Sequence, residues 1–370
     1  MVMHSIDVAP RSDMHTDVLD PTPAETADDP TALLRQRFEQ LQDPAVALEI
    51  LDSYVPSCPA RVQAICTPQK YHHDTRKTDW TLGGKRETNG RDDRFVVRVD
   101  TVTTTGERET FVFKGYADDR GQRIMHLFHT MAACPECPPD TCPVSRPLAY
   151  LPQERVLISR WVHGQTVWAH LERGDSDLLQ RIPSVLLHLY RSEVRPEAAT
   201  TAQTRLEEAL MKCERACKGW PASAATVQPL MAALQEALPL LDPTPPALVH
   251  GDLKPEHCYW NGRHVTLIDF DRSCYTDPAY DAGRFLAQLH RQCLCHPALM
   301  PHVPQMLATF RAAFLRVVPA ASARNIAFYY ALTFARQIDV DLGHLPVPAD
   351  WPRVVEPYAH YAMSALQTGV

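Results

Sequence analysis

The sequence predicts a two-lobed α+β protein, with a small β-rich N-terminal lobe and a larger, mostly helical C-terminal lobe. Three observations carry this reading. The arms "RFVVRVDTV" and "RETFVFKGY", joined by "TTTGE", are rich in β-branched and aromatic residues and read as a hairpin in the first half. From Gln165 onward the apolar spacing becomes predominantly helical. One β patch, residues 247–270, interrupts those helices, and in it Asn261-Gly262 predicts a tight type I′ hairpin within "CYWNGRHVTLIDF".

The elements follow in order. Residues 1–30 are polar, acidic and poor in aromatics, which predicts a disordered tail. Leu33, Leu34, Phe38 and Leu41 recur at helical spacing, and "RVQAICTPQKYHH" reads as a strand. After the hairpin, Ile124, Leu127, Phe128 and Met131 mark the apolar face of a helix beginning near Asp119. "PLAYLP" and "RVLISRWV" then read as strands that close the first lobe near residue 160. The expected division is a tail at 1–30, an N-lobe at 31–160 and a C-lobe at 161–370.

With 370 residues, 45% hydrophobic and 22% charged, the chain has the composition of a soluble globular protein. A net charge of −7 argues against a nucleic-acid partner, and no apolar run reaches the ~18 residues of a membrane span. The N-terminus lacks the basic and apolar regions of a secretory signal, so a cytoplasmic location is expected.

The sharpest motif is "LVHGDLKP". Aspartate at the end of a short strand, two residues after a histidine and two before a lysine, suits proton handling and charge neutralisation. Asp252 is the candidate base, Lys254 a candidate for offsetting charge on a transferring group, and His250 a brace for the loop. Seventeen residues later, "LIDFD" places Asp269 on an apolar strand, where a carboxylate is costly unless it holds a cation. Asp271 reads either as an assistant to Asp269 or as a turn cap. In the first lobe, Lys114 ends a hairpin arm, where it could neutralise phosphates or simply lie at the surface. "VLISRWVHG" could offer backbone groups to a purine edge around Ser159, Trp161 and Val162.

HGDLKPEH followed by IDFDRSCYTDPAYDAGRF resembles the aminoglycoside phosphotransferase and choline kinase family, relatives of the protein kinases. The resemblance covers roughly residues 60–300. It implies a protein-kinase-like fold and transfer of the γ-phosphate of ATP or GTP to a hydroxyl of a small molecule such as an aminoglycoside, sugar or amino alcohol. Asp252 would be the base, Lys114 and the 158–162 linker would hold nucleotide, and Asp269 would hold Mg²⁺. In "DPAYD", Asp277 and Pro278 would start a helix and turn Asp281 toward the catalytic loop.

Three departures qualify the resemblance. His257 stands where the family pattern has asparagine as second metal ligand. It would hold a metal, Mn²⁺ rather than Mg²⁺ by its imidazole donor, contact phosphate directly, or mark a pseudokinase with nucleotide-binding or regulatory work only. No glutamate follows Lys114 in "DDRGQRIMHLFHTM", leaving Gln122, Asp118 and Asp119 as alternative partners. "LGGKRETNG" has glycines but makes no convincing phosphate loop. A separate reading concerns Cys134, Cys137 and Cys142, which with His126 or His129 have the ligand types of a structural Zn²⁺ site and suggest a zinc-stabilised scaffold as a rival.

Overall fold

The computed structural model describes residues 30–54, 59–66, 94–133, 144–192, 194–196, 199–343, 345 and 350–370. Two helices, α1 (Pro30–Gln40) and α2 (Pro44–Tyr54), precede strand β1 (Pro59–Cys66). The sequence reading assigned only the first of them. Asp43, whose carboxylate accepts from Ala45 N–H at 2.8 Å, starts the second after a break of three residues.

Strands β2 (Arg94–Thr103) and β3 (Arg108–Tyr116) form the expected hairpin, followed by α3 (Arg120–Ala133), β4 (Pro147–Leu151) and β5 (Val156–Arg160). The five strands make one antiparallel sheet in the order β1-β2-β3-β5-β4. Successive strand residues face opposite sides. Phe95, Val97, Phe111, Phe113 and Ile158 therefore pack with Leu34 of α1, Leu41 of the turn after it, and Ala47 and Leu51 of α2. Val96, Val112, Lys114 and Leu157 face the other way and line a cleft.

The larger lobe contains β6 (Gln165–Thr166), α4 (Val167–Leu171), α5 (Ile182–Arg191), α6 (Ala202–Gly219) and α7 (Ala224–Ala237). Next come β7 (Ala247–Val249), β8 (Cys258–Trp260), β9 (Val265–Leu267) and β10 (Cys274–Thr276). Helices α8 (Ala279–Leu294), α9 (Val303–Val317), α10 (Ala323–Leu342) and α11 (Pro352–Thr368) complete it. This is the mixed α+β, small-sheet-plus-helical architecture that the sequence predicts. No helix among the described residues is long and apolar enough to cross a membrane.

The β8–β9 turn differs from expectation. Trp260 pairs with Val265, so four residues connect the strands, and Gly262 has a positive φ of 90° while Asn261 does not. The Asn261 side chain accepts from the N–H groups of Arg263 and His264 at 2.9 and 3.0 Å, closing an Asx turn instead of a type I′ turn.

Helices α8 and α10 form the centre of the lobe. A Cβ at Gly283 would lie 2.6 Å from the Ile326 carbonyl oxygen and from Tyr330 N, so glycine is what permits this approach. Further along α8, His290 is 4% exposed, and its Nδ1 lies 2.6 Å from the Tyr330 hydroxyl. Burial lowers its pKa from 6.5 to about 4. The unfolded chain therefore binds a proton below pH ~6.5 that the folded chain refuses until about pH 4, and stability falls as pH falls through that window. We expect a loss of about 1.4 kcal/mol per pH unit from this group. Denaturant melts at pH 7.5, 6 and 5 should show a shallower acid slope for His290→Gln than for the native chain.

Candidate active site

Strand β7 delivers His250, Gly251 and Asp252 to the junction of the lobes. Gly251 has φ of 77°, and a Cβ there would meet the Arg272 carbonyl oxygen at 1.9 Å, so the loop requires glycine at this point. His250 is fully buried, and its Nε2 donates to the Ile268 carbonyl at 2.8 Å, leaving Nδ1 to accept from Asp252 N–H at 3.3 Å. From the first turn of α8, the buried Asp281 accepts from the backbone N–H groups of His250 (2.8 Å) and Gly251 (2.9 Å) and from the Tyr190 hydroxyl (3.1 Å). Asp277 accepts from Ala279 N–H at 2.9 Å and so serves the helix start, which falls one residue later than the sequence suggests.

Asp252 forms an ion pair with Arg284, whose guanidinium donates to Oδ1. Burial alone would raise the pKa of this carboxyl. Arg284, then Lys254 and His257, overcome that and hold it well below the usual carboxylate range. Arg284 was not singled out from the sequence. Its spacing of three residues from Asp281 puts both on one face of α8, which is the signal that identifies it.

Ligand atoms of Asp252, His257 and Asp269 lie within 4.8 Å of one another, the only such group among the described residues. His257 Nδ1 lies 2.9 Å from the Asp252 carbonyl oxygen, an atom that can only accept, so Nδ1 carries the proton. Burial, followed by Lys254, lowers the His257 pKa from 6.5 to about 3, and the ring is neutral. Its bare Nε2 then faces Asp269 Oδ2 at 3.4 Å. Two electron-rich atoms in that arrangement suit a divalent cation with mixed nitrogen and oxygen ligands. Asp269 is held in the left-handed region, φ 67°, an unfavourable conformation for a non-glycine residue.

Lys114 of β3 reaches across the lobes to Asp269 (2.6 Å) and Asp271 (2.7 Å). None of the partners considered for it in or just before α3 is used: Gln122 is exposed, Asp118 pairs with Arg120, and Asp119 pairs with Arg123. Asp271 is only 4% exposed in its side chain and also receives the Tyr116 hydroxyl at 2.8 Å and the Arg94 guanidinium. It neither caps a turn nor joins the metal-ligating group. Arg94 and Tyr116 were invisible to motif reading because strand pairing alone brings them together, Arg94 lying directly opposite Tyr116.

Between Lys114 and the β5 exit lies a cleft of about 240 Å³, lined by Val96, Val112, Leu157, Ser159, Trp161 and Val162 among others. Trp161 N–H donates to the Thr110 carbonyl at 2.8 Å, so of the backbone groups expected to meet a purine its N–H is already engaged. Val162 makes no such bond to a described residue and keeps that role open. The Cys134/Cys137/Cys142 loop and "LGGKRETNG" lie outside the described residues, and His126 and His129 are exposed.

A family model described as "phosphotransferase enzyme family" matches residues 86–333. The chain belongs to this family. Among solved structures, the choline/ethanolamine kinase family protein from Mesorhizobium loti is 14% identical, with a TM-score of 0.53 over 90% of this chain and 94% of that one. A spectinomycin phosphotransferase solved with ADP and spectinomycin is 11% identical, with a TM-score of 0.53 over 88% and 99%. A thermostable mutant of an aminoglycoside phosphotransferase, solved with ADP and hygromycin B, is 12% identical, with a TM-score of 0.55 over 87% and 98%. At these identities the likeness is one of fold. A search of curated proteins finds no match to the sequence. Within the phosphotransferase family, the histidine at position 257 and the carboxylate partners of Lys114 are the features of this member that call for explanation.

Proposed function

We propose that the protein transfers the γ-phosphoryl group of ATP or GTP to a hydroxyl of a small molecule. The observation that carries this reading is the convergence of Lys114, Asp252, His257 and Asp269 at the mouth of one cleft. In the reaction, the acceptor oxygen attacks the γ-phosphorus in line, a new O–P bond forms, and the β–γ bridging O–P bond breaks to release the nucleoside diphosphate. Asp252 orients the acceptor hydroxyl and takes its proton. Because Arg284 holds this carboxylate so strongly ionised, the proton moves late, as the new O–P bond completes, rather than before attack. Lys114, anchored by Asp271, is placed to neutralise the nucleotide phosphates, and Lys254 to offset charge on the transferring group.

Asp269 and His257 would hold the divalent cation, which supplies charge neutralisation at the β- and γ-phosphates. Imidazole nitrogen in place of an amide oxygen favours Mn²⁺ over Mg²⁺ in this site. Thermal melts with ATP and with GTP, each with Mg²⁺, Mn²⁺ or EDTA, test the reading. Ligand at a hundred times its dissociation constant adds about 2.7 kcal/mol. We expect a metal-dependent shift, larger with Mn²⁺, and a change of preference toward Mg²⁺ in His257→Asn. A shift that persists in EDTA would favour a nucleotide-binding protein without transferase activity. An unchanged metal preference in His257→Asn would remove His257 from the ligand set.

A further inference from the structure

In-line transfer puts the acceptor on the side of Asp252 away from Lys114 and the nucleotide. That side is built from α6, α8 and α10, and its charge is positive. Beside Asp252, Arg284 is followed by Tyr280, whose hydroxyl accepts from Arg336 Nη1 at 3.2 Å and whose ring lies 4.7 Å below the Arg205 guanidinium. The side chains of Arg205, Arg284 and Arg336 are 11%, 10% and 9% exposed. Burial would raise the pKa of the Tyr280 hydroxyl, yet the three arginines around it lower it.

The carboxylates on that side do not balance these charges. Glu208 is shared by Arg205 and Arg336, each at 3.5 Å. Asp339 is engaged by Arg215 through both oxygens. Lys212, one helical turn beyond Glu208, makes no hydrogen bond or ion pair with a described residue. Burial and the neighbouring Arg336, Arg272 and Arg215 lower its pKa from 10.5 to about 8, despite Asp339. The Nε atoms of Arg284 and Arg205 are also buried donors without partners. Like charges gathered in a poorly solvated site, with donors left over, call for an anion that accepts several charge-assisted hydrogen bonds.

We propose that the acceptor is itself an anion, its carboxylate or phosphate group seated by Lys212, Arg205 and Arg336 while its hydroxyl meets Asp252. This rests on the phosphotransferase reading and names its substrate class. A polycationic acceptor would have to enter against the field of these side chains, whereas an anionic one neutralises it. The two anionic chemistries differ in geometry: a carboxylate offers one plane to a guanidinium, and a phosphate offers oxygens to all three cations at once.

The first test is titration calorimetry of inorganic phosphate, at constant ionic strength, into the full chain and into Lys212→Gln and Lys212→Arg. Lys212 is itself only partly buried and lies outside the buried stripe of α6 (Leu206, Ala209, Cys213, Ala216), so these variants should fold. We expect saturable binding that weakens at least tenfold in Lys212→Gln and returns in Lys212→Arg. Absence of saturable binding, or binding that Lys212→Gln leaves unchanged, overturns the proposal. The second test follows nucleoside diphosphate release with glycerol 3-phosphate, gluconate and kanamycin as acceptors. Turnover of glycerol 3-phosphate or gluconate, with KM raised in Lys212→Gln and kcat nearly constant, supports a phosphate or a carboxylate respectively. Turnover of kanamycin alone overturns it. Phosphate binding without any nucleotide-induced thermal shift would instead sink the phosphotransferase reading, and with it the acceptor role of the site.

Discussion

Asp252→Asn should lower phosphoryl transfer by about 10²–10⁴-fold, the usual worth of a positioned proton acceptor. The substitution keeps an oxygen for the Arg284 guanidinium but removes the charge that balances it. Removing one partner of a buried ion pair costs about 3–5 kcal/mol, and the retained oxygen places this variant at the low end of that range. Single-turnover rates and denaturant melts therefore both have to be measured. A large fall in rate with the nucleotide-dependent thermal shift intact assigns the loss to chemistry. A rate that falls only in proportion to the folded fraction would make Asp252 a structural partner of α8. Arg284→Ala serves as the control for stability, because it leaves the carboxylate in place and removes the ion pair from the other side.

Asp271→Ala should be the second large effect. Three groups converge on this carboxylate: the Lys114 ammonium, the Tyr116 hydroxyl and the Arg94 guanidinium. Its removal leaves a buried tyrosine hydroxyl unsatisfied and lets Lys114 turn wholly to Asp269. A loss of about 3–5 kcal/mol is expected from the broken charge cluster, read as a lower denaturant midpoint at unchanged m-value. Nucleotide affinity should fall as well, since an ammonium committed to Asp269 is withdrawn from the phosphates. Asp271→Glu should recover part of the stability. If nucleotide affinity follows stability in all variants, Asp271 only holds the lobes together. If Asp271→Glu restores stability but not affinity, the position of Lys114 is what Asp271 sets.

Much of the fold was legible in the sequence because its signals are local. The β2–β3 hairpin, α3 and the strands around residues 147–160 follow from alternation and helical spacing, and the structure has them there. Helix α2 escaped because only three residues part it from α1, and β10 escaped because a three-residue strand has no pattern of its own. At the site, Asp252, His257 and Asp269 were readable as a motif and are brought within ligand distance of one another. The partners that decide their behaviour were not. Arg284 meets Asp252 across 32 positions and Lys114 meets Asp271 across 157. A pairing at such separations is fixed by how the lobes and helices pack, and no local pattern announces it. Asn261-Gly262 shows the opposite limit, a strong local signal overruled by the hydrogen bonds of the Asn261 side chain.

The close approach of α8 to α10 at Gly283 has a consequence for how this protein can change over evolutionary time. Both the clamp on the loop at residues 250–252, Asp281, and the partner of Asp252, Arg284, flank that glycine on the same helix. A side chain at position 283 would push α8 off α10 and carry both groups with it. The helical core and the loop at residues 250–252 therefore vary together in this region, and a drift in one is felt at once by the other. If α6 seats the acceptor as proposed, Arg205 and Lys212 can change without moving Gly283, and acceptor preference would be free to diverge while the loop at residues 250–252 stays fixed.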